Sequence, residues 1–243
     1  STTQESTEEE TEDIIKNSKE IMSLLKRDGI LLDEIKDYHI YPIADNSTPR
    51  LAADRLEYNF ANGIYFKEVW DLDKIREVYS DIEILENEEG IKELGFASKE
   101  MAEEFVKYAS KLWPKWISSE DKTIMQFWAD LFKEMSNKHL ICKQDLYDLS
   151  EHELIYKIKH CGDKRIEEAF EKFENATMVY ESDEKVEGKY CVSVEAKRRY
   201  VIPLVKCKDG AKRINEISKN AKENIDNYLN YKTKKYAYFD FDF

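Results

Sequence analysis

The chain has 243 residues, 42% of them hydrophobic and 37% charged, with a net charge of −13 and few glycines (7) or prolines (4). That balance supports one large domain or two modest ones, favours helices, and argues against a β-sandwich, a barrel or a disordered chain. The acidic excess disfavours bulk nucleic-acid or anionic-membrane binding, although a local basic patch could still hold a phosphate.

Four widely spaced cysteines, Cys142, Cys161, Cys191 and Cys207, form no C-x-x-C pair and read as reduced, structural residues. No apolar run approaches the roughly 20 residues of a membrane span. The opening residues are polar and acidic and do not resemble a signal peptide. The expectation is a soluble, cytoplasmic, mainly helical protein.

Ser6 or Thr7 followed by glutamates suits a helix start, and Ile14, Ile15, Ile21, Met22, Leu24 and Leu25 continue it to Lys26, before Asp28-Gly29 stops it. A short helix over 31–38 leads into a turn-rich stretch, 41–47. The next helix carries Asp54, with Thr48 as cap, Pro49 in its first turn and Gly63 as its stop. Leu51, Asp54 and Tyr58 then share one side. Residues 71–79 read as a helix, and 81–95 as an acidic loop with a short strand.

Two long helices follow. In 99–116 the apolar residues recur at helical spacing, with Pro114 expected to shorten it. In 120–135, Ile124, Phe127, Trp128, Leu131 and Phe132 share a face that reads as core. Shorter helices cover 145–149, 151–160 and 163–173. Residues 178–180, 190–195 and 200–205 are rich in β-branched and aromatic side chains and read as a small antiparallel sheet, with Pro203 near a strand end. Residues 211–229 return to helix. The tail 235–243 alternates Phe239, Phe241 and Phe243 against Asp240 and Asp242, which predicts a last strand joining that sheet.

The stretch Thr48-Pro49-Arg50-Leu51-Ala52-Ala53-Asp54-Arg55-Leu56-Glu57-Tyr58, entered through Tyr41-Pro42-Ile43-Ala44-Asp45, places one carboxylate in a largely apolar helix. It resembles the last metal-binding element of the HD superfamily of metal-dependent phosphohydrolases. Glu93-Leu94-Gly95-Phe96, Asp145-Leu146-Tyr147, Leu149-Ser150-Glu151-His152-Glu153 and Glu195-Ala196-Lys197-Arg198-Arg199-Tyr200 are similar to stretches downstream of such a core. The resemblance implies a partial HD-like helical region over 1–117 and an accessory region of helices and a small antiparallel sheet over 118–243. The boundary is soft and falls somewhere within 117–140.

It also implies a role for Asp54 as ligand to a divalent metal (Mn, Mg, Fe or similar) and, as substrate, a nucleotide or other phosphoester. An HD site further needs a His and a His-Asp pair. The chain has no His-Asp dipeptide, and its four histidines are His39, His139, His152 and His160. Where some HD triphosphohydrolases carry a His-Glu-Glu stretch, this chain has Thr7-Glu8-Glu9-Glu10-Thr11.

The resemblance therefore implies hydrolysis only if an N-terminal segment or a companion chain supplies the missing ligands. Without them it implies no metal. The alternative is a non-catalytic HD-like scaffold or regulatory interaction protein, and a coincidental motif in a helical protein stays open beside both. Arg55 and the basic run Lys197, Arg198, Arg199 are the candidate phosphate contacts, since arginine forks suit phosphate oxygens. The plainer reading of that run is a solvated strand balancing nearby acids. A homo-oligomer is compatible with either.

Overall fold

Side-chain caps fix many of the helix starts. Asp71, Ser98, Ser118, Ser150 and Asp163 each accept a backbone N–H from the first turn that follows, and Glu153 reaches back to Ser150 to close a capping box. The computed structural model describes residues 10–66 and 69–243. In chain order the elements begin with α1 (Thr11–Asn17), α2 (Lys19–Asp28), α3 (Ala53–Tyr65) and α4 (Leu72–Ser80). Strands β1 (Ile82–Glu86) and β2 (Lys92–Phe96) follow, then α5 (Lys99–Ala109) and α6 (Ser119–Asn137). Next come α7 (Asp145–Asp148), α8 (Glu151–Lys159) and α9 (Lys164–Glu174), then β3 (Tyr180–Ser182) and β4 (Tyr190–Val192). The chain closes with β5 (Leu204–Cys207), β6 (Gly210–Arg213), α10 (Ile214–Ile217), α11 (Lys219–Asn230) and β7 (Tyr236–Phe239). The protein is mainly α with small sheets.

Two units divide the chain, one of Ser1–Trp113 with Arg199–Asn230, the other of Pro114–Arg198 with Tyr231–Phe243. A single cut at 117 and 118 differs from this division, because 199–230 returns to the first unit. The return has a physical cause: β5 adds to the sheet of the first unit, running parallel to β2 with Gly95 opposite Leu204.

In the first unit the sheet order is β1-β2-β5-β6, with β5 and β6 antiparallel. The expected loop over 81–95 is the β1–β2 hairpin, and the expected helix over 211–229 gives its first residues to β6. Gly95 is needed where it stands, since a Cβ there would lie 2.8 Å from the Leu204 carbonyl oxygen. Phe96, Phe105, Val106 and Leu204 are fully or almost fully buried around α5 and the sheet.

The N-terminal helix is broken. Ser18 leaves the helix and its hydroxyl accepts from Ile21 N–H, so α1 and α2 are separate. Gly29 closes α2 with φ 69°, as its position predicts. The expected helix over 31–38 holds a 3-10 turn at Leu32–Glu34, and a second runs over Tyr38–Ile40. The predicted start at Ser6 or Thr7, with Glu8 and Glu9, lies outside the described residues.

In the second unit, β7 lies between β3 and β4 in an antiparallel sheet, which places the tail strand in a small sheet as expected but ends it at Phe239 instead of Phe243. The anticipated single sheet is thus two, and of 200–205 only Leu204 and Val205 are strand, in β5 of the other sheet. Phe127, Leu131 and Met135 of α6 pack with Ile166 and Phe170 of α9 and with Tyr190 and Phe239 of the sheet. Phe241 and Phe243 join this core from the same face of the tail. Asp240 faces away and pairs with Lys189 at 2.5 Å.

Candidate functional site

The Asp54 element is built differently from its expected form. α3 begins at Ala53, with Ala52 in extended conformation (φ −127°, ψ 167°) before it and no side-chain cap. Thr48 is not the cap and Pro49 is not in the first turn, because backbone carbonyls take over that work. Ala53 N–H donates to Ile43 O at 2.8 Å and Asp54 N–H to Ala44 O at 3.2 Å. Leu51 and Ala52 are fully buried ahead of the helix.

Gly63 is likewise no stop. It sits inside α3 under the Trp70 indole, where an added Cβ would fall 1.9 Å from a ring carbon. The buried face of α3 is Leu56, Asn59, Phe60 and Gly63, with Asn59 donating to Arg55 O and accepting from the Trp113 indole N–H. Asp54 lies on the exposed side of the first turn, not at the border of the apolar face. A carboxylate in that position is favoured by the helix dipole whatever else it does.

Arg55 is committed to the preceding loop. Its guanidinium donates to Asn46 Oδ1 at 2.6 Å, to the Asn46 carbonyl and to Arg50 O, and pairs with Asp45 at 3.4 Å. Asn46 in turn donates to Pro42 O and Leu51 O. Residues 42–58 are therefore one hydrogen-bonded body that holds Asp54 on its surface.

A buried ion pair anchors that body to the sheet. Glu93 is fully buried; its carboxylate accepts from Leu51 N–H at 3.1 Å, Asn87 Nδ2 at 3.2 Å and Arg213 at 2.6 and 2.9 Å. Arg213 also donates to Glu88, and Arg50 pairs with Glu89 at 2.6 Å. Every oxygen of the buried carboxylate has a partner, which is the condition for such a pair to hold.

Tyr58 sits four residues after Asp54. Burial raises its phenol pKa, while the nearby Arg55 and Arg199 pull it back and Asp54 and Tyr228 push it further up. Asp54, Arg55 and Arg199 thus act on one half-buried tyrosine. The helical spacing of Tyr58 was readable beforehand, but its proximity to Arg199 was not, since Arg199 lies 141 residues further along the chain and comes near only because 199–230 returns to the first unit.

The basic run is divided. Residues 197–203 are not strand, so the alternation expected for Lys197, Arg198, Arg199 and Tyr200 does not apply. Arg199 belongs to the first unit. Arg198 ends the second unit's central stretch, donates to Tyr231 O at 2.7 Å and lines a cleft of that unit. Lys197 is exposed.

Among the described residues no group of three or more His, Cys, Asp or Glu side chains could hold a metal ion. His39 is exposed beside Asp37 at 3.0 Å, and His160 bonds Tyr156 O at 2.9 Å. The described residues therefore do not make a metal site around Asp54. The four cysteines are free thiols. Among the described residues no helix is long and apolar enough to cross a membrane. No family model, curated protein or solved structure matches the chain.

Proposed function

We propose that the chain is the carboxy-terminal part of an HD-family metal-dependent phosphohydrolase of the cytoplasm, acting on a nucleotide or another phosphoester. In this reading the first unit carries part of an HD-like core and Asp54 is one metal ligand. The His and His-Asp ligands come from a preceding segment or a companion chain. A metal completed in this way would lower the pKa of a bound water and polarise a phosphate oxygen.

The observation that supports the reading is the outward display of Asp54 from a body locked on every other side. Arg55 and Asn46 fix the loop, Asn59 and Phe60 fix the helix, and Glu93 fixes Leu51. A ligand-bearing carboxylate benefits from this kind of support, since misplacement by about 1 Å weakens a site. Arg55 serves here by holding the loop, and Arg199 is the cation better placed for phosphate, because it is exposed and acts on Tyr58.

The test is hydrolysis of nucleoside triphosphates with added Mn²⁺, by the chain alone and after joining it to a segment carrying the His and His-Asp motifs. The expected result is no turnover alone, turnover after joining, and its loss in Asp54→Ala. Turnover by the chain alone that Asp54→Ala abolishes would overturn the need for completion. No turnover after joining would leave the protein as a non-catalytic scaffold of the same family.

A further inference from the structure

Among the described residues none before Leu51 is buried. The later helices of the first unit differ: α3, α4, α5, α10 and α11 each bury at least one side chain. The bare stretch is nevertheless rich in apolar residues. Ile14, Ile21, Leu24, Ile30, Leu31 and Ile40 keep 36–67% of their surface exposed.

Helices this short do not hold by themselves. α1 has 7 residues and α2 has 10, below the about 12–15 at which an isolated helix becomes even marginally stable in water. The Ser18 cap and Gly29 satisfy the backbone ends of α2 and cover none of its apolar side chains. Such helices draw their stability from packing an apolar face, and no described residue completes the burial of this one. Lys16, Lys19, Glu20 and Lys26 are interleaved with the apolar residues and make no ion pair among the described residues. An exposed apolar patch with polar residues around it is the mark of a surface that meets another protein, and the charges keep it in solution until that protein arrives.

The patch leads straight to Asp54. The Tyr41 hydroxyl donates to Glu34 O at 2.7 Å, and Tyr41 O accepts from Ala44 N–H at 2.9 Å. Ala44 O in turn accepts from Asp54 N–H at 3.2 Å. Residues 30–41 are thus tied to the body that displays Asp54. A chain that brings ligands to Asp54 has to approach that body. A second copy would bring no His-Asp pair, since the sequence has none. Tyr65 is also exposed, but it ends α3, about 16 Å along the axis from Asp54 at about 1.5 Å per residue.

We propose that α1, α2 and residues 30–41 form the docking surface for a companion chain, the one that carries the missing His and His-Asp ligands, which lays an apolar helix face on them. The inference rests on the phosphohydrolase reading and names where its partner binds.

The test mixes the full chain with a separately purified polypeptide carrying the His and His-Asp motifs of an HD phosphohydrolase, followed by sedimentation and hydrogen exchange. The expected result is a one-to-one complex in which the amides of α1 and α2 gain protection and those of α4 do not. Leu24→Lys and Leu31→Lys, both at exposed side chains, should each weaken it by about tenfold or more with the urea midpoint unchanged. Leu72→Lys, at an exposed side chain of α4, should leave it intact. A complex that neither Leu24→Lys nor Leu31→Lys weakens overturns the proposal. Self-association of the chain alone that Leu24→Lys abolishes also overturns it, by making a second copy the occupant. Protection of α1 and α2 that appears only when the motif-bearing segment is joined to the chain overturns the companion. Turnover by the joined protein that Leu24→Lys with Leu31→Lys leaves intact overturns the docking surface and keeps the phosphohydrolase reading. No complex, together with no turnover after joining, ends both.

Discussion

The two units hold themselves together by opposite means. The first unit joins distant chain segments through a buried charge: Glu93 collects donors from Leu51, Asn87 and Arg213. The second joins its tail to its helices through rings. Phe127 stacks on Phe173 at 4.4 Å and meets Tyr190, Phe239, Phe241 and Phe243 edge-on or tilted. A charged anchor fixes geometry through directional bonds but leaves a large penalty when one partner is lost. An aromatic anchor gains mostly from burial and packing, and degrades with the volume removed. The unit that displays Asp54 has the directional anchor.

The largest expected effect tests the charged anchor. Arg213→Met should destabilise the first unit by about 3–5 kcal/mol, because it leaves the Glu93 carboxylate buried without its cation. Urea unfolding measures the loss, and hydrogen exchange should place it in β2, β5, β6 and the amide of Leu51. Adding Glu93→Leu should restore much of the stability, since an apolar pair of similar volume needs no counter-charge. If the double variant stays as unstable as the single one, the pair does more than hold the unit closed.

Phe127→Ala is the matched test of the aromatic anchor, with an expected loss of about 3–5 kcal/mol from the cavity left among five rings. Hydrogen exchange should then rise in α6, β4 and β7 and stay unchanged in β2 and β5. Here no second substitution should rescue by charge removal. Equal exchange in both units after either substitution would end the contrast drawn above.

Much of the second unit was legible because its signals are local. Ser118, Ser150 and Asp163 cap helices whose apolar residues recur at helical spacing, and the alternating phenylalanines of the tail mark a strand with one buried face. In the first unit the helices near 71–79 and from 99 were legible, while the helix that carries Asp54 was legible in its presence and not in its ends. Ala211 to Arg213 contains good helix formers and was read as helix, yet pairing with β5 makes it a strand. Thr48 looked like a cap, but Ile43 and Ala44 carbonyls supply the partners that α3 needs, and no short pattern announces that.

The anchor itself was invisible for the same reason. Leu51, Asn87, Glu93 and Arg213 meet only after β5 returns to β2, so their association is a property of topology and not of spacing. The same return separates Arg199 from Arg198, two neighbours in sequence that belong to different units. A cluster read from consecutive residues was therefore two sites' worth of charge.

The smallest expected effect concerns acid. Asp145, at the start of α7, is held down to a pKa of about 2, first by the Lys157 ammonium and then by the Cys142 backbone N–H. A carboxylate whose folded pKa is depressed contributes stability that is fully present above its ordinary value of 3.8 and is lost as pH falls through its folded value. Asp145→Asn should therefore lower the urea midpoint slightly at pH 7, and the difference from the unsubstituted chain should shrink between pH 4 and 2. Because both partners are partly exposed, added salt should also shrink it, unlike the Arg213→Met effect on a more deeply buried pair. A difference that persists unchanged to pH 2 would mean that the Asp145 side chain acts by shape at the α7 start. The contrast between a screened surface pair in one unit and a buried pair in the other would then need another measure.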